Sequence, residues 1–121
     1  MFNPFFKNNG PFKFNEILND LNLALDEKNN NLSIIDIKDL QNSKINEITF
    51  FHSKKYKLAA NNTKASFCIT SQNLIEELPN TCKPIIVDNV LVSTSIITAK
   101  FYPDSINDNF DITVEEINNT K

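Results

Sequence analysis

Phe50, Ser53 and Tyr56 stand three residues apart within "ITFFHSKKYKLAANNTKASFCIT", positions 48–70. The apolar "ITFF" reads as a buried strand, and the residues after it as the loop leaving its carboxyl end, where α/β proteins hold ligands. Two aromatic faces about 7 Å apart accept a flat heterocycle, and each stacking contact is worth ~1–3 kcal/mol. Ser53, between them, offers one hydroxyl as donor or acceptor. The same residues admit a packing explanation, because aromatics at strand ends also serve the core. The local pattern leaves both open.

Other chemistry is thin. His52 is the one histidine, so a Ser-His-Asp or His-containing metal site could be built around no other; it lies just past a strand end, and with no nucleophile or carboxylate nearby in sequence it reads as a partly exposed loop residue. A single glycine excludes a phosphate-binding P-loop and a dinucleotide fingerprint. The pairs Glu76-Glu77 and Glu115-Glu116 fall on predicted solvent faces. Cys68 and Cys82 have no metal-ligand spacing and read as two reduced, packed thiols. No catalytic residue, metal or cofactor is assigned. The Asn-X-Thr/Ser patterns at Asn31, Asn61 and Asn118 are chance matches in an Asn-rich chain. A net charge of −3, with 12 basic residues scattered among 15 acidic ones, argues against nucleic acid as a partner. No stretch approaches the ~20 apolar residues of a membrane span. The start, "MFNPFFKNNGPFKF", lacks the charged and apolar regions of a secretory signal, so a cytoplasmic location is expected.

The elements that must position these residues follow from periodicity. With 121 residues, 40% of them hydrophobic, the chain makes one globular domain. An aromatic arm (Phe2, Phe5, Phe6, Phe12, Phe14) enters first. Asn15 is placed to cap a helix through Asn22, with Ile17, Leu18 and Leu21 on one face. "LSIIDIKDL" alternates as a half-buried strand with Ile35 and Ile37 on one face. Strands follow at 48–51, 65–70 and 85–87. Ser53, Ser71 and Asn89 are placed to cap the intervening helices "KKYKLAANN", "QNLIEEL" and "VLVSTSIITAKFY". Tyr56, Ala59 and Ala60 share a face of the first; Val90, Ile97 and Phe101 recur along the third, which Pro103 ends. Such alternation predicts an α/β fold: a small, mostly parallel sheet flanked by helices in three layers, joined by right-handed crossovers. Residues 1–103 form this domain, and the polar 104–121 is read as a linker. With so little glycine, Asn must take the left-handed turn positions.

"INEITFFHSKKY", then "TKASFCIT", then "PIIVDNVLV" and "FYP", with "PFKFNEI" and "IIDIKDL" upstream, resembles the amino-terminal domain of the UDP-3-O-acylglucosamine N-acyltransferases, which serve lipid A biosynthesis in Gram-negative bacteria. The resemblance covers roughly residues 11–103. It implies a uridine-binding module followed by a left-handed β-helix of hexapeptide repeats. That β-helix forms a homotrimer and carries a histidine acting as general base on the glucosamine amine, which attacks the thioester of an acyl-acyl carrier protein. It implies uracil stacked between Phe50 and Tyr56. Ser53 falls where the family usually has an Asn, and Ser cannot present donor and acceptor together as an amide does. "VDNVLV" departs from a Pro that often follows the Asn. His52 does not correspond to the general base. The implied function is UDP-sugar recognition within an N-acyltransferase acting on UDP-3-O-acylglucosamine, with 104–121 leading toward the β-helix and this chain alone neither trimeric nor active. A second reading is a non-catalytic protein-interaction module of the same fold. An open cleft between Phe50 and Tyr56 is required by the first and not by the second.

Overall fold

A computed structural model describes residues 7–103. The expectations for Phe2, Phe5, Phe6 and the 104–121 segment lie outside them. The aromatic arm enters as a short strand, β1 (Phe12–Lys13), antiparallel to β2 (Ser33–Ile34). The chain turns directly from β1 into α1 (Phe14–Asp20), and the Phe14 N–H donates to the Leu32 carbonyl. The helix therefore begins before Asn15, with Lys13 at its cap position, and Asn15 is not the cap the sequence suggests. Its amide holds the later loop instead, accepting from the Asp26 N–H (2.8 Å) and donating to the Asp26 carbonyl (3.1 Å). Ile17 and Leu18 are buried as their spacing predicts, and Leu21 packs against them.

α1 closes in a left-handed turn at Asn22, whose φ is 59°. The Asn22 N–H donates to the Asn19 carbonyl (3.0 Å) and the Leu23 N–H to the Leu18 carbonyl (2.9 Å). This is the Schellman pattern that glycine usually completes, with its apolar contact supplied by Leu18 and Leu23 in one cluster. Asn46, with φ 67°, plays the same conformational part just before the second strand of the main sheet.

"LSIIDIKDL" does not form one strand. It divides into β2 and β3 (Asp36–Ile37), which belong to different sheets. Ile34 and Ile37 enter the core while Ile35 is 45% exposed, so the expected pairing of Ile35 with Ile37 is wrong. The chain changes sheets at Ile35, and a two-residue period cannot persist across that change.

The main sheet is parallel throughout, in the order β3, β4 (Glu47–Phe51), β5 (Phe67–Thr70), β6 (Lys83–Ile86). The three expected strands are present, with β5 starting at Phe67 and β6 displaced toward the amino terminus. β6 tolerates Pro84 because it is an edge strand with one side free of the ladder. Alternation sends Ile48, Phe67, Ile69 and Ile85 to one face, packed with Phe14, Ile17, Ile97 and Phe101. Phe51 and Cys68 go to the other, packed with Leu40, Ala60, Leu74 and Cys82. All three strand-to-strand connections contribute to this second cluster, through Leu40, Ala60 and Leu74. Crossovers of one hand between neighbours laid down in sequence order must all cover one face, which leaves the other for α1 and α3.

These connections are too short for full helices. β4 leads into a 3-10 turn (Lys54–Tyr56) and α2 (Lys57–Asn61), and β5 into a 3-10 segment (Gln72–Glu77). Ser71 precedes the latter, but its hydroxyl donates to the Asn73 side chain (2.6 Å) and caps nothing. α3 (Val90–Phe101) is capped as predicted, the Asn89 Oδ1 accepting from the Val92 N–H (3.0 Å). Its β-branched residues are poor helix formers; burial of Val90, Ile97 and Phe101 on the sheet offsets this.

Candidate functional site

β3 ends at Ile37, paired with Ile48 near the start of β4, and the chain that continues from it to Gln41 faces the later residues of β4. A cleft of about 290 Å³ opens there, lined by Asp39, Leu40, Gln41, Phe50, His52, Tyr56 and Ala59. Each side chain reaches it for a local reason. Phe50 is the second-last residue of β4, partly buried against the α1–α3 cluster. His52 follows the strand, and Tyr56 ends the 3-10 turn with 41% of its surface exposed. Ala59 and Leu40 make the apolar floor as they join the second core cluster.

Of the residues singled out by spacing, Phe50 and Tyr56 meet in the cleft wall. Ser53 is not among the lining residues. Its hydroxyl caps the 3-10 turn by accepting from the Lys55 N–H (3.2 Å), which leaves one O–H to donate. Ser53 therefore fixes where Tyr56 stands. His52, read as a bystander, shares the wall; its ring lies 5.4 Å from that of Tyr56, tilted by 47°. Although the His52 side chain is exposed, partial desolvation against the cleft, with a smaller contribution from the Lys55 charge, lowers the imidazole from its ordinary pKa of 6.5. The ring is then neutral at pH 7 and presents an uncharged heteroaryl surface. The Lys55 ammonium sits 5.5 Å from the Tyr56 ring centroid and places positive potential at the cleft's edge.

The opposite wall was not legible in the sequence. It comes from the β3–β4 connection, which is folded back on itself. The Ser43 Oγ lies 3.0 and 2.8 Å from the Lys38 and Asp39 carbonyls, and the Thr63 hydroxyl donates to the Leu40 carbonyl (2.9 Å). The Asp39 carboxylate accepts from the backbone and side-chain nitrogens of Asn42 at 2.8–3.0 Å. Among the described residues no group of His, Cys, Asp and Glu could hold a metal, and Cys68 and Cys82 are buried free thiols. No described helix is long and apolar enough to cross a membrane. The cleft can take a flat, largely apolar group with a few polar edges.

Residues 31–99, which include the whole cleft wall, match the sequence model of the family described as UDP-3-O-(3-hydroxymyristoyl) glucosamine N-acyltransferase, LpxD. The chain belongs to this family. A UDP-3-O-acylglucosamine N-acyltransferase of Rickettsia prowazekii is 32% identical over 100 residues, covering 81% of this chain and 29% of that protein. Its counterpart in Rickettsia conorii is 33% identical over 110 residues, 84% of this chain and 32% of its own length. That of Rickettsia rickettsii is 38% identical over 79 residues, 64% of this chain and 23% of its own length. The chain thus spans less than a third of the N-acyltransferases it matches in these alignments.

Proposed function

We propose that this domain holds the uridine part of a UDP-sugar, with uracil between Phe50 and Tyr56, for an N-acyltransferase of lipid A biosynthesis acting in the cytoplasm. The observation that carries the reading is that both rings, singled out by spacing and tied to uracil by the family resemblance, line one cleft at the carboxyl edge of a parallel sheet. Open α/β sheets bind ligands at that edge. The cleft lies at the lower end of the ~300–1,000 Å³ usual for small-molecule sites, a fit for a base rather than a whole UDP-sugar. Lys54, Lys55 and Lys57 are exposed around the turn and suit the phosphates that follow the base. A protein-docking module of this fold has no need of a cleft at this edge.

In this reading the Phe50 and Tyr56 faces hold the base, Ser53 caps the turn that carries Tyr56, and remote binding energy positions the sugar amine for chemistry elsewhere. The amine's attack on an acyl-acyl carrier protein, the general base and the homotrimer belong to a β-helix reached through 104–121; this chain alone binds the nucleotide weakly and transfers no acyl group. Two stacking contacts of ~1–3 kcal/mol each, against an association cost of about 4–15 kcal/mol, leave little net affinity. The test is an NMR titration of the chain with UMP. Shifts clustering on Phe50, His52 and Tyr56 and lost in Tyr56→Ala support the site; shifts mapping elsewhere return the two rings to packing.

A further inference from the structure

We infer that the Gln41 carboxamide reads the hydrogen-bonding edge of the base, a task that neither Ser53 nor His52 is placed to perform; this rests on the uridine reading above. Gln41 is exposed and lines the cleft, and it also lines an adjoining hollow of about 340 Å³ with Leu40, Leu58, Ala59 and Asn62. Of the other polar side chains lining the two hollows, Tyr56 offers only a single hydroxyl, which cannot meet a donor and an acceptor side by side as an amide can. The Asp39 carboxylate is taken up by Asn42, and the Asn62 amide nitrogen donates to the Leu58 carbonyl (2.8 Å). The neutral His52 ring carries its donor and acceptor on separate sides. Among the described residues nothing accepts from or donates to the Gln41 amide.

Its backbone, by contrast, is fixed. Leu40 beside it is held by Thr63, and the Ser43 N–H and hydroxyl both bond the Asp39 carbonyl (3.0 and 2.8 Å). The fixed loop leaves little backbone order to be lost on binding, so that ordering the Gln41 side chain itself is the main entropic cost. Uracil offers an N3–H donor flanked by carbonyl acceptors. A carboxamide matches that edge at two points, its Oε1 accepting from N3–H and its Nε2–H donating to a ring carbonyl.

The experiment is a double-mutant cycle between protein and ligand. The native chain and Gln41→Met, which keeps the length and removes the amide, are each titrated by NMR with UMP and with N3-methyl-UMP. N3-methylation should weaken binding to the native chain about tenfold, and Gln41→Met should bind both nucleotides equally, at the level of the methylated one. An N3-methyl penalty that survives in Gln41→Met, or that is missing from the native chain, overturns the assignment of Gln41 while leaving the uridine site standing. Absence of any UMP-dependent shift in the cleft overturns the uridine reading and this inference with it.

Discussion

Tyr56 is the residue on which the cleft's selectivity can be tested with least collateral damage. It is 41% exposed, so Tyr56→Ala removes a ring face without opening the core. The variant should fold normally and lose roughly 1–3 kcal/mol of uridine-nucleotide binding, read by NMR titration. Phe50→Ala should lose both binding and stability, because Phe50 also packs against the α1–α3 cluster. His52 makes a separate prediction. Partial desolvation first and the Lys55 charge second lower its pKa in the folded chain, while the unfolded chain keeps about 6.5. Between the two values the unfolded state binds more protons. The contribution of His52 to stability is therefore full above about pH 6.5 and is lost as the pH falls through the folded pKa. An imidazole titration should show a midpoint below 6.5, and Lys55→Gln should raise it only part of the way, since partial desolvation remains. A midpoint at or above 6.5 would show that the ring is not desolvated at the cleft.

At the scale of elements, helix ends depend on asparagine in a chain with one glycine. Asn22 pays the smallest left-handed penalty of any side-chained residue, yet still more than glycine would. Asn22→Gly should stabilise the domain by up to ~1 kcal/mol and so raise the urea midpoint, and Asn22→Val should lower it, because a β-branched residue resists positive φ. A gain for Val over Asn would show that the turn is not left-handed. Asn89→Ala removes the acceptor for the Val92 N–H and should cost about 1 kcal/mol. α3 is exposed to such a loss because its Thr and Ser residues bond backward to their own helix, Thr94 to the Val90 carbonyl (2.7 Å) and Ser95 to the Leu91 carbonyl (3.0 Å).

The whole molecule is closed by the packing of the entering arm on the last helix. The Asn9 N–H donates to the Phe101 carbonyl (2.8 Å), and the Phe12 and Phe101 rings meet edge to face at 4.9 Å. Lys100 reaches Glu16 and Asp20 of α1, each at 2.7 Å, and lies 4.5 Å from the Phe12 ring centroid. Gly10 fits here by lacking a side chain: a Cβ would come within 2.7 Å of the fully buried Phe101 ring. Gly10→Ala should destabilise the domain by about 1–3 kcal/mol in urea unfolding, with the shift changes centred on Phe101. A neutral result would mean that the arm lifts away freely and that α3 is held by the sheet alone.

The α/β class, the three central strands and the Asn89 cap were legible because each is written locally, as an apolar run or a capping residue before a periodic segment. The pairing of Phe50 with Tyr56 was legible because strand, turn and ring sit within seven residues of one another. Three things were decided only by tertiary structure. Ile35 turns outward because the chain changes sheets there, which no two-residue period records. Ser53 works as a cap instead of lining the cleft because the crossover to β5 is short and tightens into a 3-10 turn. Asp39, Leu40 and Gln41 become a wall of the site because β3 stops opposite Ile48 and the chain leaving it lies across from the end of β4, among residues that share no local pattern. A cleft between adjacent parallel strands is a non-local object, and its far wall is set by register rather than by spacing.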